Sequence, residues 1–212
     1  MKKYWLPFSI CAFLLMGCAT TYLQQSTNVS NVKKNYDKIL VVSRSKDLSA
    51  RLKTERQMVS DLNARGVKAE SSIDVIKTES FNKELSEQEL DDLVDKLLLE
   101  GYQGVVLTNL VDASQYSDII PGSTRTAYMP VRYGRFGRYY SAYPATYWEP
   151  DRVETGVVYT LESCFYDITA KGEDNLQWVG RFKVKDPSDL ITVIQKYSQE
   201  LTTELLAQSI AP

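Results

Sequence analysis

The chain has 212 residues, with 25 Lys and Arg against 27 Asp and Glu and no histidine. Without histidine there is no Ser-His-Asp or Cys-His machinery, and the commonest zinc ligand is missing. Only carboxylate, Lys, Tyr or Arg chemistry remains open. The slightly acidic balance argues against nucleic acid as the main partner, and the length suits about one domain.

Lys2 and Lys3 precede an apolar run, Trp5 to Met16, that ends at the small Gly17. A basic start, a short apolar stretch and a small residue before the cut make a secretory signal peptide over residues 1–17. The run is too short for a transmembrane helix, which takes about 20 residues. Leu15-Met16-Gly17-Cys18 resembles the lipobox of bacterial lipoproteins. That resemblance implies cleavage before Cys18, diacylation of its thiol, acylation of its new amine, and a membrane-tethered mature protein. Three acyl chains meet the requirement that stable anchoring takes more than one. By the same resemblance, Ala19 after the cysteine favours export to the outer membrane, where the protein is expected to face the periplasm. Loss of Lys2 and Lys3 leaves 23 basic against 27 acidic residues, a net charge of −4. Cys11 leaves with the signal and Cys18 carries lipid, so Cys164 has no disulfide partner within the chain.

Residues 18–35 are rich in Thr, Ser, Gln and Asn and read as the lipidated end and a flexible tether. Residues 36–212 read as a single α/β domain. Lys38-Ile39-Leu40-Val41-Val42 is a short β-branched run, the pattern of a buried strand. A helix follows, with Leu48, Leu52, Val59 and Leu62 expected on its inner face and Gly66 as its stop. Val67 to Val75 contains a weaker strand. Ser86-Glu87-Gln88-Glu89 is a capping box opening a second helix, with Leu90, Leu93, Val94, Leu97 and Leu98 in one stripe and Gly101 at its end. Gly104 to Val111 reads as a third strand, parallel to the first two, because strand-helix-strand units pair that way. Val157–Asp167 and Leu176–Lys183 flank a turn-prone segment and predict a β-hairpin. A final helix carries Leu190, Val193, Ile194, Tyr197, Leu201 and Leu205 at spacings of three and four. The expected architecture is α/β (α+β): a mixed sheet of about five strands, β-α-β-α-β, then a hairpin and a C-terminal helix.

Tyr36-Asp37-Lys38-Ile39-Leu40-Val41-Val42, Gly101-Tyr102-Gln103-Gly104-Val105-Val106-Leu107 and Thr160-Leu161-Glu162-Ser163-Cys164-Phe165-Tyr166-Asp167 resemble segments of a broad group of bacterial lipid-anchored periplasmic α/β domains. These are LpoB-like and CsgG-periplasmic-domain-like lipoproteins, and the resemblance spans roughly 36–210 outside the central insertion. It implies a binding or assembly domain without catalysis, and it carries over no functional residue.

Residues 112–152 form that insertion, and its composition is unlike the rest. It holds seven of the fourteen tyrosines, with Phe136, Trp148 and five arginines, broken by Pro121, Pro130, Pro144 and Pro150. Tyr, Trp and Arg are the side chains enriched in binding hot spots. Two readings of the insertion carry most weight: an ordered excursion that packs on the sheet or forms its own hairpin, and a surface that binds an envelope protein. A third is contact with peptidoglycan or another glycan, with aromatic faces on sugars and arginines on carboxylates. The residues expected to carry binding are Arg135, Phe136, Arg138, Tyr139, Tyr140, Tyr147 and Trp148. No cofactor or metal motif is present, and the acids Glu87, Glu89, Asp91, Asp92 and Asp95 read as a helix start that complements the dipole. The expected function is a non-enzymatic outer-membrane lipoprotein that serves envelope assembly by binding a protein partner.

Overall fold

Ile39, Leu40, Val41 and Val42 are buried on both sides of a mixed sheet, which explains why the run is apolar without alternation. A computed structural model describes residues 21–45, 47–76, 85–132, 140–170 and 175–211. In chain order its elements begin with β1 (Leu23–Asn28), β2 (Lys34–Asn35), β3 (Ile39–Arg44), α1 (Leu48–Ala64), β4 (Ala69–Ser71) and α2 (Glu87–Leu99). They continue with β5 (Gly104–Ile120), β6 (Thr124–Arg132), β7 (Tyr140–Trp148), β8 (Arg152–Asp167), β9 (Leu176–Lys185), α3 (Leu190–Gln208) and β10 (Ile210–Ala211). The main sheet has six strands in the order β1-β9-β8-β5-β3-β4. β4, β3 and β5 are parallel, whereas β5, β8, β9 and β1 are successively antiparallel. The mixed α/β class and the C-terminal helix agree with the sequence reading.

The sixth strand is a correction. Residues 23–28 were expected within a flexible tether, yet they pair with β9 from Leu23↔Phe182 to Asn28↔Trp178. Their polar side chains suit an edge strand whose stabilisation comes from backbone pairing. Trp178, fully buried, donates its indole N–H to Ser26 Oγ at 2.9 Å. Glu200 of α3 fastens the start of this strand by accepting the backbone N–H groups of Tyr22 and Leu23 at 2.8 and 2.9 Å.

α1 and α3 cover one face of the sheet. Met58 and Leu62 of α1 meet Tyr197, Leu201 and Leu205 of α3 and Ile39, Val41, Phe165 and Phe182 of the strands. Each such fully buried side chain contributes roughly 1.5–3 kcal/mol. The buried face of α1 is Arg51, Glu55, Met58 and Leu62, whereas Leu48 is exposed. The inner face of this helix is therefore partly ionic, against expectation.

α2 covers the other face over β3 and β5. Its capping box forms as the spacing predicts, with Ser86 Oγ accepting from the Glu89 amide and Glu89 accepting from the Ser86 amide at 2.9 Å. Only Leu97 of its stripe is fully buried; Leu90 and Leu98 are exposed. α1 and α2 end alike: Gly66 and Gly101 adopt φ of +85° and +84°. The next amide then reaches back, Val67 to Leu62 and Tyr102 to Leu97. Those pairs are also apolar contacts within the two cores, the full Schellman arrangement.

The predicted second strand shrinks to the three residues of β4 and runs into a 3-10 turn at Ser72–Asp74. The insertion contains a hairpin of its own, one of the readings the sequence left open, and its prolines and glycines do not break the pairing as expected. β5 and β8 stay paired from Gly104↔Asp167 to Ile120↔Arg152, and β6 and β7 pair from Thr124↔Trp148 to Arg132↔Tyr140. Most of residues 112–152 is thus a two-stranded arm projecting beyond the sheet.

Candidate functional site

The arm starts where its flanking strands stop. β3 pairs with β5 only as far as Arg44↔Asn109, and β9 pairs with β8 only as far as Lys185↔Val158. A bulge between Leu110 and Asp112 marks the departure. The root is braced by the loop between β9 and α3. Asp186, at φ +46°, accepts from the Val157 amide at 2.8 Å and from the Tyr116 hydroxyl. Its own amide donates to Val157 O at 2.9 Å. Lys185 stands 3.9 Å over the Tyr116 ring and 3.4 Å from Asp118. The Tyr116 hydroxyl and then the Val157 amide hold the Asp186 carboxyl below its ordinary range, and Asp186 in turn raises the Tyr116 phenol. Gly156 sits under this carboxylate, where any Cβ would overlap Asp186 and the Tyr116 ring.

Pro121 and Pro150 lie at a joint halfway along the arm. Proline donates no ladder hydrogen bond, so the two-stranded ladder changes there. The Glu149 amide bonds Ser123 O at 2.9 Å, the Gly122 amide bonds the Asp151 carboxylate at 2.6 Å, and Arg125 pairs with Glu149 at 3.0 Å. Beyond the joint, Pro130 pairs with Ala142 and Pro144 with Tyr128. Those two pairs are two steps apart and belong to the same class of the ladder. Both prolines therefore fit at positions whose amides point away from the partner strand. That is how four prolines coexist with a hairpin.

Of the residues expected to bind a partner, Tyr147 lies opposite Arg125 and is 45% exposed, and Trp148 lies opposite Thr124 and is 64% exposed. Tyr140 closes the described pairing opposite Arg132. Arg135, Phe136, Arg138 and Tyr139 lie outside the described residues, as does Cys18. Just before the joint, Ile119 and Val153 are direct cross-strand partners and both are largely exposed. Nothing in the sequence marked this pair as solvent-facing, because both residues are ordinary strand formers.

A second feature occupies the same end of the sheet: a cavity of about 750 Å³ between the end of β3, the starts of α1 and α3, and β5 and β8. Its walls include Leu110, Leu161, Val184, Val193 and Ile194. At its floor Thr108, Ser163 and Tyr197 share a buried hydroxyl cluster, with Thr108 Oγ1 3.0 Å from the other two oxygens. Burial pushes the Tyr197 phenol up to about 12. The carboxylates at its rim, Asp47 and Asp189, are occupied as N-caps, accepting from Ser49 at 2.8 Å and Thr192 at 2.7 Å. A phenol raised in this way holds its proton at neutral pH, and the cluster has the character of a packed polar floor.

The buried ion pair of α1 is a third polar group that the sequence reading missed. Glu55 accepts from Arg51 Nε at 2.9 Å, from Ser71 and Ser72 hydroxyls at 2.6 and 2.8 Å and from the Ser43 amide at 3.0 Å. Arg51 also donates to Ser72. Each atom of the carboxylate is satisfied, so the group ties α1 to β3 and β4. Its signal was the spacing of four between Arg51 and Glu55, which is equally common on solvated faces. Cys164, on β8, is buried, and burial raises its thiol above the ordinary value. Among the described residues, no three of His, Cys, Asp and Glu converge as a metal site requires.

No family model matches the sequence, and no curated protein matches it. The structure is similar to that of a PelC dodecamer from Paraburkholderia phytofirmans at 10% identity and a TM-score of 0.45, covering 85% of this chain and 94% of that one. It is also similar to the lipoprotein GNA1162 from Neisseria meningitidis at 11% identity and a TM-score of 0.40, covering 81% and 99%. A PDZ domain protein from Parabacteroides distasonis aligns at 10% identity and a TM-score of 0.35, covering 88% of this chain and 37% of that one.

Proposed function

We propose that this chain is a non-enzymatic, lipid-anchored accessory protein of the bacterial outer membrane that binds an envelope protein through its arm. The observation that carries this reading is the arm itself: two strands leave the core and present the exposed aromatic residues Tyr147 and Trp148. Lipidation at Cys18, read from the Leu15-Met16-Gly17-Cys18 pattern, supplies the anchor. Confinement beside a membrane raises the effective concentration of a weak binding surface near its partner. Support for a role without catalysis comes from the polar groups of the body. Glu55 is saturated with hydrogen bonds, Asp47 and Asp189 cap helices, and Cys164 is a buried thiol whose burial raises it above its ordinary value.

The test is crosslinking of the lipidated protein in its own cells, beside a variant lacking residues 125–148. Capture of one envelope protein by the intact form alone is the expected result. Equal capture by both forms would move the interface to the α/β body. Sedimentation of the intact form with purified sacculi, without protein capture, would replace the protein partner with peptidoglycan.

A further inference from the structure

The point where the mature chain joins the sheet and the root of the arm lie at the same end of the domain. One row of the sheet reads Leu23↔Phe182, Phe182↔Leu161 and Leu161↔Leu110. From that row β1 runs away from the arm, so the chain before Leu23 rises on the arm's side. Tyr22 is fixed there: its carbonyl accepts from the Lys183 amide at 2.8 Å, its amide donates to Glu200, and Lys196 stands 4.3 Å over its ring. Cys18 precedes Tyr22 by four residues, a span of at most about 14 Å when fully extended. The arm is much longer than this. Six rows beyond the last β9 partner and nine rows of β6–β7 pairing give about 50 Å of ribbon if straight.

Charge points the same way. Residues 124–148 contain four arginines, Arg125, Arg132, Arg135 and Arg138, and no acidic residue, in a chain whose overall charge is −2. The same segment holds Trp148 and seven of the other aromatic rings. Aromatic rings with cations are the composition of surfaces that sit at the headgroup level of a bilayer. Anionic lipid attracts clustered arginines within about a Debye length.

We infer that the arm lies on the anionic phospholipid surface to which Cys18 tethers the domain, with Trp148 and Tyr147 at headgroup depth and the exposed Ile119–Val153 pair just before its joint. An arm so placed meets its protein partner in the plane of the membrane. This rests on the lipidation of Cys18, and the test separates the two.

Trp5 leaves with the signal, so the mature protein keeps only Trp148, 64% exposed, and Trp178, fully buried. Lipidated protein is reconstituted into phosphatidylethanolamine–phosphatidylglycerol vesicles, with ordinary or brominated acyl chains, and floated on a density gradient. The expected result is flotation, with Trp148 emission quenched about twofold by brominated lipid, as for a ring at the interface. The Trp148→Phe protein, reporting Trp178 alone, should float and show no quenching. Omitting phosphatidylglycerol should reduce the quenching; an unchanged value would overturn the role given to the arginines. Flotation with Trp148 unquenched would overturn the placement, and shielding of Trp148 only on adding sacculi or envelope proteins would do the same. Failure to float would overturn the lipidation and the placement with it.

Discussion

The lower and upper halves of β5 and β8 are the same two strands in different company. Below Leu110, β5 runs between β3 and β8, and Val106 and Thr108 are buried; Phe165 of β8 is fully buried opposite Val106. Above it, among the described residues, β5 pairs only with β8. Ile119 and Val153, no less apolar than Val106, are then 69% and 65% exposed. Strand propensity is similar in both halves, so it does not separate core from arm. The number of neighbouring strands and helices does, since burial requires a second layer. The lower half builds stability, and the upper half offers surface.

The largest expected effect lies in the body. Trp178→Ala should remove about 3–5 kcal/mol, because it empties a fully buried site and frees the Ser26 hydroxyl of β1. Denaturant unfolding reads this directly, and a loss below 1 kcal/mol, roughly the range of a surface change, would mean that β1 and β9 do not share the core. An intermediate effect belongs to the root. Gly156→Ala should unseat Asp186 from the Val157 amide and cost about 1–3 kcal/mol of local stability. Faster amide exchange across Tyr116 and Val157, with the melting of the body nearly unchanged, would set the root apart as its own unit.

At the arm, Tyr147→Ala with Trp148→Ala should alter global stability by no more than about 0.5 kcal/mol while abolishing crosslinking to the partner, because the arm then leaves the membrane surface at which it meets that partner. A large destabilisation would return these rings to a packing role. The smallest effect concerns pH. The folded pKa of Asp186 lies below its unfolded value, so its contribution is present above the unfolded pKa and is lost as pH falls through the folded one. Protection of the Val157 amide, corrected for intrinsic exchange, should therefore weaken below about pH 4. In Asp186→Asn that dependence should be flat.

Much of the body was legible from the chain. The apolar run at Ile39–Val42, the Ser86–Glu89 capping box, Gly66 and Gly101, and the stripe from Ile194 to Leu205 each report a local requirement: two buried faces, an unpaired amide, a left-handed residue, one inner helix face. β1 was not legible, because an edge strand needs backbone partners and places few demands on side chains. Glu55 was hidden for a related reason. A charged residue reads as solvated unless its partners are known, and Ser43, Ser71 and Ser72 come from other segments. At the arm the composition of 124–148 gave a candidate surface, whereas Tyr116 and Asp186, which brace it, stand 70 residues apart and share no motif.

By itself, then, the sequence determined the α/β class, the caps, the buried strand and the aromatic, basic segment, since each depends on neighbours within a few residues. Only tertiary structure decided that prolines and glycines between 121 and 150 interrupt a ribbon without ending it. It also decided that the polar stretch after Tyr22 is a strand, and that the chain joins the sheet at the arm's end. Those outcomes depend on which backbone groups find partners far along the chain, and residue type constrains such pairing only weakly.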